Sequence, residues 1–284
     1  MILLITNHEI TCQSKVIEVN DLSVMRSGKQ VIHDINLSIK CGEFVGIVGP
    51  NGGGKSTLLL TILGILKPKS GTVKIYDFEP LSKNVIGKIG WVPQTASNLP
   101  SNIRITVKEL IQLGTLNRES FFQIMQKNRI QVKKILQLVG LEDVANVPLS
   151  SLSGGQRQRA IIGKALASEA EIIIMDEPLV GVDRESRKSL LKLLDDLCHD
   201  EQKTIVMVSH DLPTIKQTVH RMIYLEDTIR YDGPTSEFPD LSSLAQLRGI
   251  QAIHDEPTQI TNSNEKLSNL DPVIIFSSKK GEKE

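Results

Sequence analysis

Short apolar runs alternate with longer amphipathic stretches over most of this chain. Ile35, Leu37 and Ile39 alternate with Asn36, Ser38 and Lys40, the period of a half-buried strand. Residues 16–42 are read on that basis as antiparallel strands. Phe44-Val-Gly-Ile-Val48 is wholly apolar and reads as a short buried strand. The stretch from Ser56 to Leu66 places Leu59, Ile62, Leu63 and Leu66 at helical spacing. Lys67-Pro-Lys-Ser-Gly71 is a turn, and Thr72–Tyr76 and Lys88–Val92 are expected as strands of the same β region.

Between 95 and 168 the pattern becomes largely helical. Thr95–Arg104 reads as a loop. Thr106 and Glu109 have the spacing of a capping box, opening a helix with Leu110, Ile111 and Leu113. Further helices are expected over 119–128 and 130–139, with Gly140 as a C-cap. A last helix follows Ser153, a good N-cap residue, and carries Ile161, Ala165 and Leu166. Strand-like runs then resume at Ile172–Met175, Thr204–Val208 and Arg221–Glu226. Between the first two lies a helix of about fifteen residues from Asp183, with Leu190, Leu191, Leu194 and Leu197 on its spacing. Strands and helices of these lengths in alternation imply a parallel sheet covered on both faces. Ligands of such sheets bind outside the carboxyl ends of the strands, where residues 49–57, 176–177 and 209–210 all fall.

The strongest chemical signal is Gly-Pro-Asn-Gly-Gly-Gly-Lys-Ser-Thr at residues 49–57, which fits G-x-x-x-x-G-K-[ST]. It lies between the predicted strand and helix, as a phosphate-binding loop requires. Gly49, Gly52 and Gly54 let the backbone wrap closely around an anion, and the N–H groups of a helix start point at it with the dipole behind them. Lys55 supplies a charge for the β- and γ-phosphates, and the Ser56 hydroxyl is placed for Mg²⁺. Gly53 completes the run of three glycines and is expected to cost at most some loop rigidity. Further on, an apolar strand ends in Asp176-Glu177. Asp176 is a candidate Mg²⁺ ligand, and Glu177 a candidate base for an attacking water. Leu152-Ser-Gly-Gly-Gln156 opens another helix, where Ser153, Gly154 and Gly155 could bind phosphate by the same physics. One nucleotide cannot easily use two such cradles of one chain, so the second is expected to serve a nucleotide on another copy.

Composition narrows the class. The chain has 284 residues, enough for one or two domains, with 33 basic and 33 acidic residues in balance. That balance offers no electrostatic argument for nucleic acid or an anionic membrane. The three cysteines are scattered, which fits a reducing compartment and argues against a disulfide framework or a cysteine metal site. The longest apolar run, Leu58–Leu66, is far short of the ~20 residues that span a bilayer. The first residues lack the basic region of a signal peptide. Residues 1–15 are expected to be an extension, and 241–284 a flexible tail rich in Pro, Asn, Ser, Lys and Glu toward its end. His8, His33, His199 and His220 show no ligand spacing.

At these motifs the chain resembles the nucleotide-binding subunit of ABC transporters. Leu152-Ser-Gly-Gly-Gln156 matches that family's signature in full, and the phosphate loop from Gly49 through Pro50, Asn51 and Lys55 to Thr57, then Gln94, Asp176-Glu177, Asp183 and His210, stand in the family's order. The resemblance covers residues 16–240 and implies the ABC ATPase fold: an α/β P-loop NTPase core with a RecA-like parallel sheet, an antiparallel β subdomain and a helical subdomain over 95–168. It implies ATP and Mg²⁺ as cofactors, with Ser56, Gln94 and Asp176 on the metal and Glu177, Gln94 and His210 in catalysis. It also implies a head-to-tail homodimer in which Ser153, Gly154, Gly155 and Gln156 of one subunit face the ATP of the other, with Asp183 in the loop that communicates between them. A multi-span membrane permease is the implied partner, and the chain would be peripheral on the cytoplasmic face of the cell membrane. Where the family usually stacks an aromatic residue on adenine, this chain has Arg26; its guanidinium plane could stack, or it could be merely solvated.

The neighbourhoods of Gln94, Asp183 and His210 resemble ATPases of bacterial zinc and manganese importers, as does 245–254. That implies an extracytoplasmic metal-binding protein as an indirect partner, with no nucleic acid. An ATPase of another importer, such as one for iron chelates, or a soluble ABC ATPase, are the alternatives.

Overall fold

In the computed structural model the residues described are 14–94, 104–115, 121–168 and 170–239, with the side chains of 121–129 excepted. The expected tail at 241–284 and nearly all of the expected extension lie outside them, as does the loop over 95–103.

Two sheets are formed. β1 (Lys15–Arg26), β2 (Lys29–Lys40) and β4 (Ser70–Ile75) make an antiparallel sheet in the order β2-β1-β4. β3 (Phe44–Val48), β5 (Ile89–Val92), β6 (Ile172–Asp176), β7 (Thr204–Val208), β8 (Arg221–Glu226) and β9 (Thr228–Pro234) make the second, in the order β5-β6-β7-β3-β8-β9. Its first five strands are parallel and β9 turns back antiparallel along β8. The helices are α1 (Lys55–Ile62), α2 (Val107–Gly114), α3 (Phe121–Leu138), α4 (Gly154–Ala167), α5 (Arg184–His199) and α6 (Leu212–Lys216).

Residue alternation sets the layers. Ile172 and Ile174 of β6, Val206 and Val208 of β7 and Val45 and Ile47 of β3 share a core with Leu58, Leu59 and Ile62 of α1 and with the antiparallel sheet. Their strand neighbours Ile173, Met175 and Ile205 are equally buried and point to the opposite face. Strands apolar on both faces belong in a sheet covered on both sides, and their carboxyl ends then hold a loop rigidly.

Three expectations change. The helix after the phosphate loop ends at Ile62, not Leu66. Gly64 adopts φ +72°, its N–H donates to Thr61 O at 2.9 Å, and the Ile65 N–H donates to Leu60 O at 2.9 Å, the Schellman pattern that closes a helix. The helices expected over 119–128 and 130–139 are one helix, α3. No glycine or proline lies between Phe121 and Leu138 to break it. The strand near Lys88–Val92 does not join the antiparallel region: β5 pairs in parallel with β6, Ile89 opposite Ile172. Period-2 alternation states that a strand exists and not which sheet receives it. The α6 turn and β9 were not anticipated.

Candidate functional site

The phosphate loop leaves β3 and enters α1. Gly54 is the N-cap of α1, at φ 92° in the left-handed region, and no side chain caps the helix. A Cβ at Gly54 would collide with Ile32 of β2, so both backbone and packing require glycine there. The absence of a capping side chain leaves the first N–H groups of α1 directed at an incoming anion. Lys55 is 7% exposed. Its Nζ donates to the carbonyl oxygens of Gly49 and Pro50, at 2.9 and 2.8 Å, which folds the loop around its own ammonium. Burial pulls the Lys55 ammonium below its usual range, opposed by the nearby Glu177 and Asp176.

Asp176 ends β6 and is 6% exposed. Burial pushes its carboxyl above the usual range, and a hydrogen bond from Ser56 works against that shift. Its Oδ1 is buried without a hydrogen-bond partner. A buried orphan carboxylate oxygen beside a hydroxyl is costly unless a cation completes it, so Asp176 and Ser56 fit a hard divalent ion. Glu177 follows at φ 51°, a conformation that costs a non-glycine residue on the order of 1–3 kcal/mol. The Glu177 N–H donates to Val208 O at 3.0 Å, which helps hold the turn. Its side chain is 10% exposed and its Oε2 lies 2.8 Å from His210 Nδ1. An ionised carboxylate only accepts, so this bond keeps a proton on Nδ1.

A cavity of about 390 Å³ brings most of the predicted residues together; Gly49, Pro50 and Gly53 are not among those that line it. Arg26, Asn51, Gly52, Gly54, Lys55, Ser56, Thr57, Gln94, Asp176 and Glu177 all line it, and His210 joins through Glu177. Among its described lining residues there is none from 153–156, and Asp183 is not there either. These stand together elsewhere. Ser153 caps α4 in a full capping box: its hydroxyl accepts from the Gln156 N–H at 3.2 Å, and the Gln156 side chain accepts from the Ser153 N–H at 3.1 Å. Asp183 caps α5, accepting from the Ser186 N–H at 3.0 Å. The two helix starts touch. A Cβ on Gly154 would lie 2.5 Å from Gly181 O, and one on Gly155 would collide with Ser186.

Sequence reasoning missed several supports. Val31 of β2 and Val208 of β7 line the cavity, with no local signal beyond being apolar in strands. Asp211 had a signal: it precedes Leu212-Pro213, the pattern of an N-cap before a helix-starting proline. It caps α6 through the Thr214 N–H at 3.2 Å and pairs with Arg187 at 2.6 Å. The Asp211 N–H donates to the Ser209 hydroxyl at 3.1 Å. Together these fix the turn that carries His210 to the base of α5.

The family model for "ABC transporter" matches residues 32–180. The chain is 35% identical over 79% of its length to the zinc uptake system ATP-binding protein ZurA of Listeria monocytogenes, covering 88% of that protein. It is 35% identical over 78% of its length to the manganese transport system ATP-binding protein MntB of Halalkalibacterium halodurans, covering 87% of it. Its fold matches the dimeric structure of the ATP-binding cassette MJ0796 bound to ADP and Pi with a TM-score of 0.66 and 31% identity, over 78% of this chain and 100% of that one. This chain belongs to the ABC transporter family. It is a nucleotide-binding subunit with ATPase activity. No helix among its described residues is long and apolar enough to cross a membrane.

Proposed function

We propose that this chain hydrolyses ATP to power the import of a divalent metal ion, zinc or manganese, through a separate multi-span permease at the cytoplasmic face of the cell membrane. An extracytoplasmic metal-binding protein would deliver the ion. The observation that carries the ATPase chemistry is the convergence of Lys55, Asp176 and Glu177 on one cavity at the strand ends. The cargo reading rests on the similarity to zinc and manganese uptake ATPases.

The chain's residues divide the work. The N–H groups of the uncapped α1 start and the Lys55 ammonium bind the β- and γ-phosphates. Glu177 accepts the proton of the attacking water, and its own backbone turn and His210 hold it in place. His210 contacts the γ-phosphate. Asp176, Ser56 and Gln94 would hold Mg²⁺, which when bound neutralises charge on the phosphate oxygens. Arg26 and Val31 line the same cavity, and the Arg26 guanidinium plane can stack on the base. Ser153, Gly154, Gly155 and Gln156 serve the ATP of the second subunit, since the Ser153 hydroxyl that accepts from Gln156 keeps its own proton to donate.

Cellular zinc, manganese and iron, measured by elemental analysis in metal-poor medium, test the reading. A null strain should lose zinc or manganese selectively. The wild-type chain should restore it and Glu177→Gln should not. Unchanged metals in all three strains, with other importers removed, would discard the metal cargo and leave the ATPase standing.

A further inference from the structure

At the amino ends of the parallel strands, three side chains that no part of the ATPase mechanism uses come together. Asp195 and His199 lie one turn apart on α5, and His220 stands just before β8. Candidate ligand atoms of all three lie within 4.8 Å of one another. His199 Nδ1 is 3.3 Å and His220 Nε2 is 3.9 Å from the same oxygen, Asp195 Oδ1. The two imidazoles meet edge to face, their centroids 5.0 Å apart. Two ligand atoms on one tetrahedral zinc are separated by about 3.4 Å, given bonds of about 2.0–2.1 Å. The separations from Asp195 Oδ1 bracket that value, and His199 Nδ1, which also lies 3.0 Å from the Asp195 backbone carbonyl, would exchange that contact for the ion.

The supports are rigid. The i, i+4 spacing sets Asp195 and His199 on one face of a sixteen-residue helix. His220 is held on both sides, its N–H donating to Phe44 O at 3.0 Å and its carbonyl accepting from the Thr235 N–H at 3.1 Å. All three side chains are close to half exposed, so an ion can enter and water can fill the remaining positions. Sequence spacing gave His199 and His220 no ligand pattern, because the third ligand is a carboxylate and the second imidazole arrives through the fold.

We infer that Asp195, His199 and His220 form a binding site for a divalent transition-metal ion of the zinc class. Two imidazoles and one carboxylate suit Zn²⁺ and disfavour Mg²⁺, which demands oxygen ligands in octahedral array. The ion ties the last turns of α5 to the start of β8. It sits at the amino ends of the strands, away from the nucleotide cavity at their carboxyl ends, so the site is separate from ATP chemistry and does not depend on which cargo is carried.

The test is titration of metal-stripped full chain with ZnCl₂, without nucleotide, by calorimetry and by competition with a chromophoric chelator. The wild type should take up one Zn²⁺ more per chain than His199→Gln/His220→Gln. Each single histidine variant should bind that ion at least about tenfold more weakly. Excess Mg²⁺ should not displace it, and Co²⁺ should give visible ligand-field bands that the double variant lacks. Circular dichroism establishes that the double variant is folded; if it is not, Asp195→Asn carries the same comparison. Equal zinc stoichiometry and affinity in wild type and variants would overturn the assignment. So would no uptake by the wild type, or loss of the ion only in His210→Gln.

Discussion

Two glycine-rich helix starts in this chain look alike in sequence and differ in what their glycines do. At α1, Gly52 and Gly54 take φ 83° and 92° and the helix start has no side-chain cap. At α4, neither Gly154 nor Gly155 has positive φ. Both are needed because Gly181 O and Ser186 stand where their side chains would be, and the start is already closed by Ser153 and Gln156. The first is an anion cradle built within one chain. The second is a packed, capped corner. A glycine motif at a helix start therefore identifies a close approach, and the structure decides whether a phosphate or a neighbouring loop makes it.

The sharpest break of the first site is Glu177→Gln, which should lower phosphate release by about 10²–10⁴-fold while ATP still binds and the dimer accumulates on size exclusion. Normal turnover in the assembled transporter would remove Glu177 as the base. Lys55→Ala should weaken ATP binding by about 1.5–3 kcal/mol, read by fluorescent-nucleotide titration. It also unties the loop from the Gly49 and Pro50 carbonyls.

The second site breaks differently. Gly155→Ala should destabilise the fold by about 1–3 kcal/mol through overpacking, and Ser186→Gly in the same chain should recover most of that loss in urea melts. Gly52→Ala meets no atom within 4 Å. It should cost about 1–2 kcal/mol of left-handed strain instead, and Ser186→Gly should do nothing for it. Asp211→Ala removes the α6 cap and the Arg187 partner. It should cost about 1 kcal/mol and lower turnover through a displaced His210.

The smallest effect is one of pH. Burial raises the Asp176 carboxyl, so the folded chain holds this proton more tightly than the unfolded one. Stability from this group therefore falls as pH rises from the ordinary carboxylate range through the raised folded value, and returns on acidification. Asp176→Asn should raise the melting temperature of the nucleotide-free chain near neutral pH and flatten that dependence. An unchanged or lower melting temperature would contradict a burial cost that outweighs the Ser56 hydrogen bond and the Lys55 charge.

Most of the first site was legible in the sequence because its physics is local. The strand, the loop glycines, Lys55 and the Asp176-Glu177 pair are set by short-range pattern, and strands apolar on both faces foretold a covered sheet. What failed was long-range. Nothing in Ile89–Val92 says that it pairs with β6, and β9 follows β8 too closely to separate by periodicity. Ser153 stood out as an N-cap, whereas the reciprocal bond from Gln156, available from the S-x-x-Q spacing, went unread. Contacts such as Gly155 on Ser186 and His220 on Asp195 join different elements, and no window of sequence contains them.

The central claim is that one ATP site is divided between the α1 cradle of one copy and the Ser153–Gln156 corner of another. Mixing tests it directly. Lys55→Ala and Ser153→Arg each leave both sites of a homodimer defective, whereas a mixed dimer keeps one site with an intact cradle and an intact corner. Phosphate release from an equimolar mixture, with each variant alone as control, should recover to about a quarter of the wild-type rate, as random pairing into two-fold dimers requires. A mixture no more active than either variant alone, at concentrations where mixed dimers are shown to form, would contradict the divided site.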